Sequence, residues 1–161
     1  MAEDMTKEKE FLRRYIKLKT KVENDMERLA RAKSAEQFPS ARDEVDESKH
    51  HVTGTDRMGN AIIRRLSLED RLLPRIAANK EKMFEIEDIV DSIDDPQESE
   101  VLRLRYFDGD NGRLVPWDIV ALGIYRRDDE NWVKSAQRLH GRALQSLRMV
   151  MQQNTQKEPE A

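Results

Sequence analysis

Residues 95–151 read DPQESEVLRLRYFDGDNGRLVPWDIVALGIYRRDDENWVKSAQRLHGRALQSLRMVM, and this stretch decides the fold. Its first residues combine an N-cap at Asp95, a proline at the next position and Glu98 as the partner of a capping box. We therefore expect a helix that begins at Pro96 and is ended by Asp108-Gly109. The stretch is predicted to form a helical domain of its own.

Two more helices are expected within the same stretch. Pro116 begins a short one that should end at Gly123, and the last helix follows a turn in which Asp128 or Asp129 can cap it. The apolar residues of the last helix recur at helical spacing and are Trp132, Ala136, Leu139, Ala143, Leu147 and Val150. The intervening connection, residues 124–130, is longer than the usual tight turn.

Upstream, two long amphipathic helices are predicted. The first carries an apolar stripe with a period of about 3.6 residues, formed by Phe11, Tyr15, Leu18, Val22, Met26 and Leu29. The second, from about residue 61 to 93, carries a stripe that resembles a heptad seam, formed by Ile62, Leu66, Leu73, Ile76, Met83, Ile86, Val90 and Ile93. Pro74 predicts a kink or break between Asp70 and Pro74. Residues 36–60 have little apolar content and predict a long mobile connection.

These elements predict an all-α fold in which a long, coiled-coil-like helical hairpin precedes a helix-turn-helix domain. The hairpin, with a role in oligomerisation, is assigned to residues 1–94 and the helix-turn-helix domain to residues 95–151. The polar segment 152–161 is expected to be a disordered tail. Neither long helix can cover its apolar stripe alone, so we expect the two to pack antiparallel and the chain to form a homodimer.

The composition excludes several classes of function. The chain has 161 residues and no cysteine, which excludes a disulfide framework, a thiolate metal site and a cysteine nucleophile. No stretch approaches the ~18 apolar residues of a membrane span, and no signal-peptide pattern is present, so we expect a cytoplasmic protein without membrane contact. Phosphate-binding loops, metal-ligand spacing and nucleophile–base arrangements are also missing. We therefore expect no enzymatic activity, no cofactor and no metal ion.

Charge is unevenly distributed along the chain. The net charge of −3 argues against a protein that coats nucleic acid by bulk charge alone. From residue 131 to residue 151, however, there are four basic residues and no acidic one. Within this segment Asn131, Lys134, Arg138 and Arg142 follow one another at steps of 3, 4 and 4 and line one strip of the helix. This strip is predicted to face a partner while the apolar stripe packs.

The residue types of the strip suggest DNA as that partner. Arginine pairs bidentately with guanine and asparagine with adenine, whereas lysine and arginine also bind phosphate. We expect bases to be read by the residues early in the last helix, which are Asn131, Lys134, Ser135 and Arg138. We expect phosphates to be held by Arg126, Arg127 and Arg142.

Four other residues of the stretch are expected to have structural roles or to lie on the surface, without a part in base reading. His140 is expected on the helix surface, without a catalytic role. Gly141 should cost about 1 kcal/mol relative to alanine in a helix interior. Close approach of a phosphate or of a neighbouring helix would explain it, and so would tolerance at an exposed position. Trp117 and Trp132 are expected to be core anchors.

Three motifs, EVLRLRYFDG at residues 100–109, WDIVALG at 117–123 and RLHGRALQSLR at 138–148, resemble sigma factor region 4. The whole layout, a helical segment followed by such a domain, is similar to small phage and prophage transcriptional regulators of the ArpU and RinA type. The resemblance implies a helix-turn-helix that binds double-stranded DNA at promoters, with RNA polymerase as a second partner. The chain departs from complete sigma factors because no segment resembles their promoter-melting regions.

Two other functions stay open at this point. A phage DNA-packaging adaptor of the small terminase kind also combines a helix-turn-helix with oligomerising helices, but it generally carries the DNA-binding part first. A helical protein-binding or inhibitory protein would use the apolar stripes between Phe11 and Ile93 and make no contact with DNA. Salt-dependent binding to random duplex separates the DNA-binding functions from the last one.

Overall fold

A computed structural model describes residues 4–37 and 54–157 of the chain. The elements are α1 (Thr6–Gln37), α2 (Gly54–Asp91), α3 (Pro96–Leu102), which continues as a π-helix (Arg103–Phe107), α4 (Trp117–Tyr125) and α5 (Glu130–Lys157). Within these residues there is no β-strand, only an isolated bridge between Asp110 and Arg113. The predicted all-α class is confirmed. No helix in the described ranges is long and apolar enough to cross a membrane.

The two long helices differ from the prediction at their ends, and of the kink or break predicted at Pro74 the break is absent. Residues 36–37 belong to α1 and 54–60 to α2, so these parts of the expected connection are helical, and residues 38–53 lie outside the described residues. Helix α2 passes Pro74 without a break. The proline is exposed, so water can reach the Asp70 carbonyl that loses its helical hydrogen bond.

The chain divides into two compact units that differ from the predicted boundary at residue 95. Unit 1 comprises Met1–Thr20 and Lys80–Ala161, and unit 2 comprises Lys21–Asn79. The C-terminal helices therefore share a core with the first part of α1 and the last part of α2. Residues 152–157 belong to α5, so the predicted disordered tail is wrong for these six residues.

The core of unit 1 is filled by all the helices that enter it. Its fully buried side chains include Leu12 of α1, Val90 of α2, Leu102 of α3, Val120 of α4 and Leu139 of α5. Burying such a side chain contributes roughly 1.5 to 3 kcal/mol. Because each helix supplies part of this core, α3 to α5 depend on the neighbouring segments of α1 and α2 for their stability.

Unit 2 is held by α1 and α2 residues that face each other. Arg75 donates two hydrogen bonds to the Asp25 carboxylate, at 2.7 and 2.5 Å, and Arg65 bonds to Glu36. The partners of later α1 residues lie earlier in α2, so the two helical segments run in opposite directions here. The Arg75 bonds, the largest cause, lower the pKa of the Asp25 carboxyl.

Some residues of the predicted stripes in unit 2 are in fact exposed. Met26, Leu66 and Leu73 have 49%, 47% and 52% of their surface exposed, whereas Asp25 is buried and Ile76 is packed. Neighbouring residues of a helix lie about 100° apart around its axis, so on α1 the buried face includes Asp25 and leaves Met26 exposed. On α2 the predicted seam combined residues of two faces, because Leu66 and Leu73 are exposed and Ile76 is buried.

Helix α3 begins as predicted, and its helical continuation ends at Phe107, directly before the predicted stop at Asp108-Gly109, but its last part is a π-helix. The Asp95 side chain accepts a hydrogen bond from the backbone N–H of Gln97, so the expected N-cap is confirmed. Glu98, expected to complete a capping box, instead accepts from the Ser146 hydroxyl at 2.5 Å and ties α3 to α5. The last five residues widen into a π-helix, which brings both Tyr106 and Phe107 into the core.

The connection from α3 to α4 is held at both ends. Lys19 donates to the backbone oxygens of Phe107 and Gly109, each at 3.0 Å. Val115 donates its N–H to the Arg105 carbonyl, and the Arg105 guanidinium donates back to the Val115 carbonyl at 2.5 Å. The start of α4 is thereby fixed relative to the π-helix.

Candidate nucleic-acid interface

The turn between α4 and α5 is shorter than the sequence predicted. Helix α4 continues through Gly123 to Tyr125, and α5 begins at Glu130, so only residues 126–129 form the turn. The Asp129 backbone oxygen accepts hydrogen bonds from the third and fourth residues after it, at 2.9 and 3.0 Å, and starts α5. A four-residue turn fixes the direction of α5 relative to α4 more firmly than a seven-residue connection would.

Gly123 does not end α4, and a different residue does. The C-cap is Arg126, which adopts the left-handed conformation with φ of 60° and donates its N–H to the Leu122 carbonyl. Gly123 instead allows close packing, because a Cβ there would lie 2.9 Å from a methyl group of Leu104. Gly123 was correctly expected to have a structural role, but that role is close packing and not the end of the helix.

One face of α5 packs against α3 and α4 as predicted. Ala136, Leu139, Ala143 and Leu147 are each at most 1% exposed, which confirms the core of the apolar stripe. The two small alanines let the backbone of α5 come close to its neighbours. This packing fixes which face of α5 remains exposed to solvent.

The other face of α5 carries the predicted strip. Asn131, Lys134, Arg138 and Arg142 are all exposed, and Ser135 is half-buried with its hydroxyl donating to the Asn131 carbonyl at 3.1 Å. Lys134 also makes a surface ion pair with Glu130 at 3.5 Å, a contact worth a few tenths of a kcal/mol that a stronger anion can displace. The five predicted residues of α5 therefore lie together on one side of the helix.

The two predicted residues of the turn lie at the N-terminal end of this strip. Arg126 and Arg127 are exposed, and the Arg127 guanidinium lies over the Trp132 ring at 5.7 Å from its centroid. Trp132 in turn packs on Tyr125, with ring centroids 4.9 Å apart. The predicted anchor role of Trp132 thus takes the form of a ring pair that bridges the turn and positions an arginine.

Further along α5, the strip contains a shallow depression. Its lining residues are Arg138, Gly141, Arg142 and Gln145. From residue 131 to residue 157 the sequence contains no acidic residue. The depression is therefore surrounded on its own helix by hydrogen-bond donors and positive charge.

Arg148, the fourth basic residue of this segment, does not belong to the strip. Its Nε atom donates to Glu8 at 2.9 Å, and another guanidinium nitrogen donates to the Asp4 carbonyl at 2.6 Å. The hydrogen bond from the Arg148 side chain is the largest cause that lowers the pKa of the Glu8 carboxyl. Arg148 thus links α5 to the beginning of α1 and is not available to a partner.

His140 is buried, which contradicts the predicted surface position. Its Nε2 atom lies 2.9 Å from the Tyr106 hydroxyl, and the edge of the Trp117 ring packs on it with centroids 4.9 Å apart. Burial, the largest cause, lowers the pKa of His140 from 6.5 to about 4, with Lys9 and Arg105 adding to the effect. His140 is consequently neutral at pH 7 and accepts or donates one hydrogen bond inside the core.

A sequence signal for this position existed. His140 follows Ala136 by four residues and precedes Ala143 by three and Leu144 by four, so it lies beside the apolar stripe. Tyr106, its partner, could not be found in the same way because the π-helix shifts its direction relative to a regular helix. The polar pair joins the π-helix to the buried side of α5.

Arg105 is a second supporting residue that the sequence did not single out. Its guanidinium stacks on Trp117 at 4.5 Å from the ring centroid and bonds to Val115, while its Nε atom is buried without a hydrogen-bond partner. Burial lowers the pKa of Arg105, although an arginine remains charged at any physiological pH. This contact gives Trp117 the anchoring role that was predicted.

No group of three or more acidic or histidine residues in the described ranges is placed to hold a metal ion. Comparisons with protein-family models, with curated proteins and with solved structures give no match.

Proposed function

We propose that this protein is a sequence-specific transcriptional regulator of the phage or prophage type that acts at promoters in the cytoplasm. In this proposal α3 to α5 form a sigma region 4-like helix-turn-helix, and α5 is the recognition helix in the major groove of double-stranded DNA. The observation that carries the proposal is the exposed strip of α5, which has one sign of charge, while the stripe from Ala136 to Leu147 on the opposite face is buried. RNA polymerase is the second proposed partner.

The spacing of the residues along the strip is compatible with such docking. Asn131 and Arg138 are seven residues apart, which corresponds to about 10 Å along a helix and fits within a major groove about 12 Å wide. Residues in this span, with Lys134 and Ser135 between them, are proposed to reach base edges. Arg126 and Arg127 lie before this span and are proposed to hold phosphates.

The first test is the salt dependence of duplex binding. If Arg126, Arg127 and Arg142 each neutralise one phosphate, the logarithm of the association constant should fall against the logarithm of salt concentration with a slope of about −3 per chain. The measurement is a fluorescence titration of random duplex at several salt concentrations, followed by footprinting on genome fragments. Discrete protected promoters support regulation, whereas protection limited to packaging sites favours the packaging adaptor. Absence of binding would remove both DNA functions and leave the protein-binding alternative.

We further propose that the chain acts as a homodimer through unit 2. On α2, Ile63, Leu66 and Leu73 are 65%, 47% and 52% exposed, and with Asp70 and Ala77 they follow steps of 3, 4, 3 and 4, which is the spacing of a coiled-coil seam. A second copy offers the same spacing and can interlock with it. Asp70 would meet its own copy in a parallel pair, so charge favours an antiparallel arrangement.

The dimer is tested by one substitution in this seam and one beside it. Leu73→Glu should shift the protein from dimer to monomer in sedimentation at micromolar concentration, because charge repels across the seam, and should keep the helix content because Leu73 is half exposed. Ala78→Glu, an exposed α2 position outside the seam, is the control and should remain dimeric. A wild-type protein that stays monomeric at high concentration would contradict the proposal.

A further inference from the structure

Gly141 has no structural reason to be a glycine. It lies in the interior of α5 and is exposed, and a Cβ added to it would meet nothing within 4 Å. Glycine in a helix interior costs about 1 kcal/mol relative to alanine. Of the explanations for this residue, close packing of a neighbouring helix is therefore excluded for the described part of the chain.

Other glycines of unit 1 do have such reasons. A Cβ on Gly109 would lie 2.1 Å from a backbone oxygen, and one on Gly123 would lie 2.9 Å from Leu104. Gly112 adopts a φ of 75°, which favours glycine. Gly59, in the second turn of α2 in unit 2, is also open, so an open glycine alone does not indicate a ligand.

The surroundings of Gly141 point to an anion. Arg138, Arg142 and Gln145 line the depression with it at positions i−3, i+1 and i+4 of the same helix face. Both guanidiniums are exposed, and neither makes an ion pair within the described residues. The nearest acidic residue on the helix is Glu130, which already pairs with Lys134. Two arginines and an amide around a missing side chain supply hydrogen-bond donors and positive charge, with no acidic residue beside them on the helix.

We infer that Gly141 is the seat of a phosphodiester group of the DNA backbone, held by Arg142 and Gln145. The inference rests on the proposed function. Gly141 lies ten residues after Asn131, or about 15 Å along the helix, which is just beyond the width of a major groove about 12 Å wide. If Asn131 lies in the groove, Gly141 reaches its wall, where the phosphates are. The missing Cβ lets the phosphate oxygen approach the helix surface, and arginine binds it with charge-assisted hydrogen bonds.

This arrangement separates Gly141 and Gln145 from the base-reading part of the strip. A phosphate contact carries no sequence information, so its loss weakens binding to every duplex equally. The proposed phosphate contact also gives a role to Gln145, which is not among the DNA-binding residues expected from the sequence. Arg138 lies between the two parts, on the groove side of Gly141.

The decisive substitution is Gly141→Ala, because stability and DNA binding should change in opposite directions. The melting temperature should rise by about 2 to 4 °C for a chain of this length. Affinity for both promoter and random duplex should fall roughly 3- to 10-fold, the size expected for one hydrogen-bonded contact. Thermal melting and duplex titration on the same full-length samples measure the two effects.

Gln145→Ala and Gln137→Ala form a matched pair, since both remove an exposed glutamine side chain from α5 and only Gln145 lines the depression. Weaker duplex binding by Gln145→Ala alone supports the inference even if Gly141→Ala disturbs the helix. Unchanged duplex binding by Gly141→Ala and Gln145→Ala, in a wild type that binds, would overturn the inference and leave the proposed function intact. So would an effect confined to one base position, or capture of free inorganic phosphate alone. A wild type that binds no duplex removes both.

Discussion

Arg138→Ala is expected to weaken binding to the protein's own promoter fragments by about 1 to 3 kcal/mol, or roughly 5- to 150-fold. Arg138 projects from the exposed strip of α5 and makes no ion pair among the described residues, so the fold should keep its helicity and melting temperature. A guanidinium that pairs with one guanine adds discrimination at one position only. A panel of duplexes substituted one base pair at a time should therefore show reduced selectivity at a single operator position.

Arg127→Ala is the matched control, since it removes the same side chain from the turn instead of the helix. Arg127 is proposed to hold a phosphate, so all sequences should weaken alike and the salt slope should become shallower by about 1. The comparison separates base reading from anchoring at equal loss of charge. Full affinity in both variants, with folding intact, would show that this side of α5 does not face DNA and would direct attention to α1 and α2.

The sequence correctly predicted the features that depend only on residues within one or two helical turns of each other. The cap at Asp95 and the stripe from Ala136 to Leu147 are confirmed, because capping chemistry and 3.6-residue spacing depend only on neighbouring residues. The strip of α5 was predicted from the same spacing, since residues on the side of the helix opposite the buried stripe are exposed. Its exposure could be predicted, and its partner remains a proposal.

Features that depend on distant residues could not be predicted in this way. Gly123 resembled a helix stop, but its role comes from Leu104, about twenty residues earlier in the sequence. Pro74 resembled a helix break, but the surrounding helix remains intact across it. The division of the chain into units at Thr20 and Asn79 reflects which segments share a core, and periodicity along one helix carries no such information.

His140 illustrates this limit in part, because its place beside the apolar stripe was visible in the sequence and its partners were not. A histidine within Leu-His-Gly in a basic segment looked like a surface residue, yet it packs between Tyr106 and Trp117. Its neighbours come from two other elements, one of them the π-helix. The burial of His140 makes the stability of unit 1 depend on pH in a range where carboxylates contribute little.

Between pH 6.5 and pH 4.5 the free energy of unfolding should fall by about 2 kcal/mol because of His140 alone. Burial lowers its pKa from 6.5 to about 4 in the folded protein, so the unfolded chain takes up the proton first. The stabilisation is complete above pH 6.5 and is lost as pH decreases toward 4. Glu8 and Asp25, whose pKa values are lowered from 4.5 and 3.8, lose their contributions only at still lower pH.

Urea unfolding at several pH values, with His140→Gln beside the wild type, checks this expectation. Glutamine keeps a hydrogen-bond acceptor for the Tyr106 hydroxyl but cannot be protonated, so the variant should lack the loss between pH 6.5 and pH 4.5. Tyr106→Phe should lower stability at pH 7 by about 1 to 3 kcal/mol, because it leaves a buried imidazole nitrogen unpaired. It should retain the pH dependence, since burial is its main cause. Parallel pH profiles for the wild type and His140→Gln would mean that His140 is exposed to solvent in the folded protein, which would contradict its burial in the core.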